Sequence, residues 1–103
     1  MLDKTAVVEI ARRYTNRVME EYSPKQVILF GSYVNGNPHE YSDIDIAVIF
    51  EETGDEFLDI WTHLVKLCRG ISYVIEPHML DETCNKSGFL DHIRKTGEII
   101  FSI

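Results

Sequence analysis

QVILFGS at residues 26–32 and SDIDIAVIF at residues 42–50 set the architecture of this chain. Each segment contains a short apolar run rich in β-branched residues, which is typical of a strand buried on both faces. The residues between them are rich in Asn, Gly, Pro and Ser and have no sustained period, which indicates a loop with one helical turn after Ser32. We therefore predict strands over 26–30 and 43–50.

Helical periodicity marks three further stretches. Apolar residues recur at three- and four-residue spacing over 3–22 and again over 55–69, which predicts two amphipathic helices. Asp55 can cap the second of them. A weaker pattern predicts a helix within 81–96 that stops at Gly97.

Two shorter stretches predict the remaining strands. Residues 71–76 alternate along a third strand, which Pro77 interrupts, and residues 99–103 alternate along a closing strand. The order α-β-β-α-β-α-β predicts an α/β (α+β) fold, in which helices pack on a small mixed sheet of about four strands. Every segment carries its own apolar residues and no linker separates them, so we expect 1–103 to form a single domain.

Composition and charge argue against several classes of function. The chain has 103 residues, 45% of them hydrophobic, which is enough for one core. It carries 10 Lys and Arg against 17 Asp and Glu, a formal charge of -7, so nucleic acid is a poor candidate for the main partner. No apolar run approaches the roughly 20 residues that cross a bilayer, and Cys68 and Cys84 form no CxxC pair. We expect a cytoplasmic protein without a membrane partner.

Two carboxylates project from the start of the second predicted strand. Asp43 and Asp45 lie two residues apart, so their side chains share one face, while Ile44 and Ile46 point to the other. At a separation of about 5 Å and an effective dielectric near 20, their repulsion is roughly 3 kcal/mol. Mg²⁺ would compensate this repulsion, because it binds one or two carboxylates together with water and substrate phosphates. The alternative is a solvated strand end whose acidic side chains face water.

A Gly-Ser pair directly follows the first predicted strand. Gly31 lets the backbone approach an anion closely, while Ser32 offers a hydroxyl and the following amides offer N–H donors. This arrangement favours a phosphate-binding bend. The alternative is an ordinary turn, since the pair matches neither the Walker nor the dinucleotide glycine pattern.

Together, Gly31-Ser32, ten residues, and then Asp43-Ile44-Asp45 match the G-S-x10-D-x-D signature of the polymerase-beta-like nucleotidyltransferase superfamily, which the chain therefore resembles. The short chain resembles the minimal nucleotidyltransferases, often encoded beside a HEPN protein in bacterial and archaeal toxin-antitoxin pairs. The resemblance covers nearly the whole chain. It implies that the glycine and serine hold the triphosphate of ATP or another nucleoside triphosphate. It also implies that the two aspartates bind two Mg²⁺ ions, which position the α-phosphate for attack.

The resemblance further implies a third carboxylate on a following strand, which helps to bind the catalytic metal and accepts a proton from the attacking hydroxyl. Glu76 is the candidate, on the same predicted strand face as Ser72, where an acid could equally have been placed. The alternative is a strand-end glutamate before Pro77 that contacts only solvent. Many relatives carry basic residues where this chain has Tyr33 and Asn35. Their neutrality leaves more of the triphosphate charge to metal, backbone amides or a partner chain.

Other chemically capable side chains are predicted to have structural or surface roles. His78, Cys84 and His92 have a spacing that fits no zinc motif, so we place them on the surface or on helix faces. Phe57 and Trp61, at helical spacing, are predicted to be core residues.

The sequence supports an enzyme first, one in which an acceptor hydroxyl attacks the α-phosphate of a nucleotide, and the resemblance implies that AMP is transferred from ATP. We assign catalytic and metal-binding roles to Asp43, Asp45 and Glu76, and nucleotide-binding roles to Gly31 and Ser32. The resemblance suggests a HEPN toxin as the protein that presents the acceptor. The alternative is a non-catalytic antitoxin that neutralises a HEPN partner by forming a complex. Transfer to a small molecule ranks last, and self-association is left open.

Overall fold

The computed structural model describes residues 2–36, 43–84 and 87–103. The predicted loop between the first two strands is described only as far as Gly36, and one helical turn follows Ser32 as predicted. In chain order the elements are α1 (Lys4–Met19), β1 (Gln26–Phe30), α2 (Ser32–Asn35), β2 (Ile44–Phe50), a 3₁₀ turn (Gly54–Glu56), α3 (Phe57–Lys66), β3 (Ile75–Asp81), a second 3₁₀ turn (Glu82–Cys84), α4 (Phe89–Thr96) and β4 (Glu98–Ser102).

The strands form one mixed sheet in the order β3-β2-β1-β4. β1 pairs antiparallel with both β2 and β4, whereas β2 and β3 run parallel. Parallel neighbours need a crossover connection, and α3 supplies it here. The predicted α/β fold with a small mixed sheet is confirmed.

The third strand differs from its prediction. It spans Ile75–Asp81 instead of 71–76, and Pro77 lies inside it rather than ending it. β3 is an edge strand, so the N–H groups on its outer side have no strand partner and a proline can occupy one of those positions. Ser72 therefore lies outside the strand, and Glu76 is the second strand residue instead of the last.

α3 and α4 are shorter than their periodicity predicted. Thr53 donates its N–H and its hydroxyl to Oδ2 of Asp81, at 2.8 and 2.7 Å, and these bonds fix the turn before α3. Asp55 consequently lies within a 3₁₀ turn and caps nothing. α3 ends at Lys66. Asp81, the predicted start of α4, is instead the last residue of β3, and α4 starts only at Phe89.

Apolar layers cover both faces of the sheet. The larger one joins the sheet to α1 and α3, and the hydroxyl of the fully buried Tyr14 donates to the Leu64 carbonyl at 2.8 Å across these helices. Burial raises the pKa of Tyr14, so the phenol stays neutral. The smaller layer lies under α4 and consists of Ile28, Ala47, Ile49, Leu90 and Ile93.

The closing strand forms, but its predicted alternation is wrong. An irregularity in the β1–β4 pairing falls between Val27 and Ile28, so successive β4 residues do not simply alternate between the faces. Ile100 and Phe101 both pack against the larger core, while Ile99 remains 53% exposed. Among the described residues, no helix is both long and apolar enough to cross a membrane.

Candidate active site

The register of three strands brings the predicted acidic residues to one end of the sheet. Asp45 lies opposite Phe30 in the antiparallel β1–β2 pair and beside Glu76 in the parallel β2–β3 pair. The Asp45 side chain is 22% exposed and the Glu76 side chain 53% exposed. The two carboxyl groups therefore project from neighbouring strands at a solvent-accessible edge of the smaller layer.

Gly31 is required by the close approach of Asp45. Its backbone has φ 84° and ψ -154°, a conformation that a residue with a side chain rarely adopts. A Cβ at position 31 would also overlap the carboxylate of Asp45. The glycine bend and the second predicted aspartate thus meet at one point.

Ser32 begins α2 directly at this bend. The Gly31 carbonyl accepts hydrogen bonds from the N–H groups of Val34 and Asn35, at 3.0 and 2.9 Å. The first amides of a helix have no intrahelical acceptor, so at this bend the N–H groups of Ser32 and Tyr33 are the ones that an anion could accept from. Tyr33 points away from this position and is only 7% exposed within the larger core. Tyr33 therefore packs in the core and offers no charge to a bound phosphate.

Asp43 lies just before β2 and is exposed, whereas the prediction placed it within the strand. The N–H of the next residue, Ile44, donates to the Val74 carbonyl at 2.7 Å, which fastens the start of β2 to the chain leading into β3. The charge of Asp43 contributes to the raised pKa of Glu76, so the three acidic groups share one electrostatic environment.

The pKa of Glu76 is raised above its ordinary value. Partial desolvation of the carboxyl is the largest cause, followed by the negative charge of Asp45, while His78 acts in the opposite direction. The Oε1 atom of Glu76 also lies 4.0 Å from Nε2 of His78, so the carboxyl has protein neighbours as well as solvent. The interpretation of Glu76 as a strand-end residue that contacts only solvent does not fit this arrangement.

His78 is the residue of this site that the sequence prediction missed. Its Nε2 lies 3.2 Å from Oδ1 of Asp45 and 4.0 Å from Oε1 of Glu76. The imidazole also packs edge-on against Phe30, with ring centroids 4.9 Å apart. Side chains alternate between the two faces of a strand, so Glu76 and His78, two residues apart, share one face. The sequence could have indicated His78 in this way only if the strand had been predicted to continue through Pro77.

A metal ion could be held by donor atoms of Asp45, Glu76 and His78, which all lie within 4.8 Å of one another. Among the described residues, this is the group of three Asp, Glu, His or Cys side chains whose donor atoms come close enough to share one ion. Cys84 and His92 are exposed and take no part in it, in agreement with the surface positions predicted for them.

An apolar cavity of about 450 Å³ opens beside His78 at the β3 edge of the sheet. Phe57, predicted to be a core residue, is 38% exposed and lines this cavity. Leu58, at 71% exposure, extends the apolar surface outward. The other lining residues are Trp61, Met79, Leu80 and Phe89.

Comparison with known families and sequences gives consistent matches. The family described as polymerase beta, nucleotidyltransferase matches residues 14–103. A Methanocaldococcus jannaschii protein, provisionally named a protein adenylyltransferase, is 45% identical over 49 residues, which cover 48% of this chain and 57% of that protein. This chain spans 57 to 65% of the length of three such relatives from that organism.

Solved structures share the fold. A provisionally assigned nucleotidyltransferase from Sulfolobus solfataricus superposes with a TM-score of 0.71 at 20% identity, covering 96% of this chain and 83% of the other. A toxin-antitoxin crystal structure with AMP-PNP contains a chain that superposes with a TM-score of 0.59 at 22% identity, covering 89% and 73%. At these identities the likeness is one of fold.

Proposed function

This chain belongs to the polymerase beta nucleotidyltransferase family, and from this we propose that it transfers AMP from ATP to a hydroxyl group of a partner protein. The observation that carries the proposal is the contact between the Gly31 bend and the Asp45 carboxylate, with Glu76 beside it. A phosphate-binding bend next to converging carboxylates is the arrangement that phosphoryl and nucleotidyl transfer requires.

Each residue of the site has a distinct role in this proposal. The bend at Gly31 and Ser32 binds the triphosphate through backbone N–H groups and the serine hydroxyl. Asp43, Asp45 and Glu76 would hold Mg²⁺, which neutralises phosphate charge and polarises the α-phosphate when bound. The carboxylate donors fit this ion, because Mg²⁺ prefers oxygen ligands.

The transfer step forms one bond and breaks another. The acceptor oxygen bonds to the α-phosphorus, and the bond from that phosphorus to the pyrophosphate oxygen breaks. The hydroxyl proton passes to the carboxylate of Glu76, which is more exposed than that of Asp45 and so more accessible to an acceptor. Pyrophosphate then leaves with its electron pair.

The acceptor is presented by a HEPN-type toxin in this proposal. The apolar cavity beside His78 and the exposed Leu58 offer a surface on which a partner could dock next to the reacting groups. One structural neighbour comes from a crystal structure of a toxin-antitoxin with AMP-PNP, and the first relative is provisionally named a protein adenylyltransferase. We place the reaction in the cytoplasm, where the free thiols of Cys68 and Cys84 would remain reduced.

A labelling experiment tests the transfer. The protein is incubated with Mg²⁺ and each α-labelled nucleoside triphosphate, with and without the HEPN-type partner. We expect label on the partner, strongest with ATP, and its loss when Asp43 and Asp45 are both changed to Asn. The control changes Glu9 and Glu20 to Gln, which removes two exposed charges on the α1 side of the sheet, opposite the site. Absence of label on the partner with all four nucleotides would overturn the proposal.

A second candidate is a non-catalytic antitoxin that acts by complex formation. One observation favours it: in the described part of the chain, the ion pairs of Asp45 and Glu76 are made with His78 and with no lysine or arginine. Among the described residues, these carboxylates therefore have no lysine or arginine beside them that could also bind a phosphate. The double Asn variant separates the two candidates, because an antitoxin of this kind would still inhibit its partner.

A further inference from the structure

We infer that His78 is a metal ligand of this site and that its nitrogen gives the site a preference for divalent transition-metal ions over Mg²⁺. The inference concerns the metal of the proposed transferase site and so rests on the proposed function. It changes the expected ion, since the acidic residues alone would favour Mg²⁺.

The separations of the donor atoms fit one octahedral ion. With metal–ligand distances of about 2.1 Å, adjacent ligands are about 3.0 Å apart and opposite ligands about 4.2 Å apart. The Nε2 atom of His78 lies 3.2 Å from Oδ1 of Asp45 and 4.0 Å from Oε1 of Glu76. The first value is close to the separation of adjacent ligands and the second to that of opposite ligands, so both pairs are compatible with one ion.

The imidazole is held in place by its surroundings. Phe30 packs edge-on against the ring, and β3 pairing places His78 opposite Ala47, whose small side chain leaves room for it. Its side chain is 29% exposed, so a bound ion would remain open to water and to a phosphate oxygen. Positioning by the fold lowers the entropy lost on metal binding.

The mixed donor set selects the class of ion. Mg²⁺ is bound through oxygen atoms, whereas imidazole nitrogen binds Mn²⁺, Co²⁺ and Zn²⁺ with affinities that rise along the Irving–Williams order. Asp45 and Glu76 supply two oxygens, and His78 supplies the nitrogen. We therefore expect Co²⁺ to bind more tightly than Mn²⁺, and Mn²⁺ more tightly than Mg²⁺.

Metal titrations without nucleotide test this inference. Calorimetry with Mg²⁺, Mn²⁺ and Co²⁺ is performed on the wild type, on His78→Gln and on the control His92→Gln, which changes an exposed histidine of α4. Gln offers an oxygen near the former Nε2 position. We expect His78→Gln to weaken Co²⁺ binding about tenfold or more, to change Mg²⁺ binding by less than about threefold, and His92→Gln to change neither.

A spectroscopic measurement gives a second, structural readout. Electron spin echo envelope modulation of bound Mn²⁺ should show a coordinated imidazole nitrogen in the wild type and in His92→Gln, but not in His78→Gln. Unfolding curves confirm that each variant folds. The inference is overturned if the wild type shows no nitrogen coupling, binds none of the ions, or if His78→Gln weakens all of them equally. None of these outcomes depends on transfer activity, which the labelling experiment measures separately with Mg²⁺.

Discussion

The two faces of the sheet serve different purposes. Among the described residues, the face covered by α1 and α3 has a cluster of fifteen buried apolar residues, whereas the face under α4 has five. α4 is only eight residues long, so it covers part of its face and leaves the end that carries Asp45 open to solvent. The contrast indicates that one face supplies most of the stability, while the other carries the partly exposed side chains of the candidate site.

β2 displays this division residue by residue. Ile46 is fully buried in the larger core, while its neighbours Asp45 and Ala47 face the α4 side. Substitutions on a single strand can therefore separate stability from activity.

The largest effect is expected for Asp45→Asn. Loss of the carboxylate that adjoins the Gly31 bend should lower AMP transfer by about 1000-fold, which corresponds to about 4 kcal/mol in the transition state. The unfolding free energy should change by less than about 1 kcal/mol, because Asn keeps the shape and the site is partly exposed. Labelling and urea denaturation measure the two quantities. A comparable loss in stability would contradict the division between the faces.

Ile46→Ala and Ile49→Ala form a matched pair on opposite faces of β2, since both side chains are fully buried. We expect Ile46→Ala to lower the unfolding free energy by about 4 kcal/mol and Ile49→Ala by about 3 kcal/mol. The thin layer under α4 can relax into a cavity more readily than the layer under two helices. Denaturation curves of both variants give the difference, and a reversed order would show that the α4 face carries more stability than its small cluster indicates.

Gly31→Ala and Gly36→Ala separate backbone strain from the clash at the site. Both glycines have a positive φ, 84° and 82°, but only at Gly31 would a Cβ meet another group, the Asp45 carboxylate. We expect a loss of about 2 kcal/mol in unfolding free energy for Gly31→Ala and about 1 kcal/mol for Gly36→Ala. Reduced transfer should accompany only the first. If both variants lost the same stability and the same transfer activity, the contact between residue 31 and the Asp45 carboxylate would not explain the need for glycine at position 31.

The smallest effect concerns Asp81. Its carboxylate accepts hydrogen bonds from Thr53, in the connection between β2 and α3, and does not belong to either apolar layer. Hydrogen bonds from Thr83 and Thr53 lower the pKa of Asp81 from 3.8 to about 2, against the opposing effect of desolvation. Since the folded-state pKa is depressed, the stabilisation is present above about pH 4 and is lost as the pH falls towards 2. Asp81→Asn should lower the unfolding free energy by about 1 kcal/mol at neutral pH. It should also make the unfolding free energy less dependent on pH between about 4 and 2.

The control for this pH experiment is Asp55→Asn, since Asp55 is exposed in the 3₁₀ turn before α3. Stability measured by denaturation at each pH should follow the wild type in this variant. An Asp81→Asn protein that keeps the full acid sensitivity of the wild type would show that other carboxyl groups cause it.

The sequence predicted those parts of the fold that depend on local pattern. β1 over 26–30, the turn after Ser32 and the end of α4 at Gly97 follow from apolar runs and glycine positions. Pro77 was misinterpreted because a proline disfavours a strand only where its missing N–H is needed, and strand order decides that. Pairing across the sheet is long-range information that a local pattern does not contain.

The candidate site shows the same limit. Gly31 and Asp45 were identified from a spaced signature, and their contact follows from antiparallel pairing of adjacent strands. His78 was missed because its proximity to Asp45 depends on the parallel register of β3 against β2. The assignment of catalytic roles to Asp43, Asp45 and Glu76 stays a prediction that the labelling experiment addresses.

The parallel pairing of β2 with β3 also bears on how the molecule is assembled. Asp45 and His78 are 33 positions apart along the chain, and the crossover through α3 must close before they meet. Contacts of high sequence separation form late, because loop closure costs entropy before pairing offsets it. The antiparallel β1–β2 unit can therefore collapse before β3 pairs with β2 during refolding, and ligand-binding competence would appear only once β3 has docked.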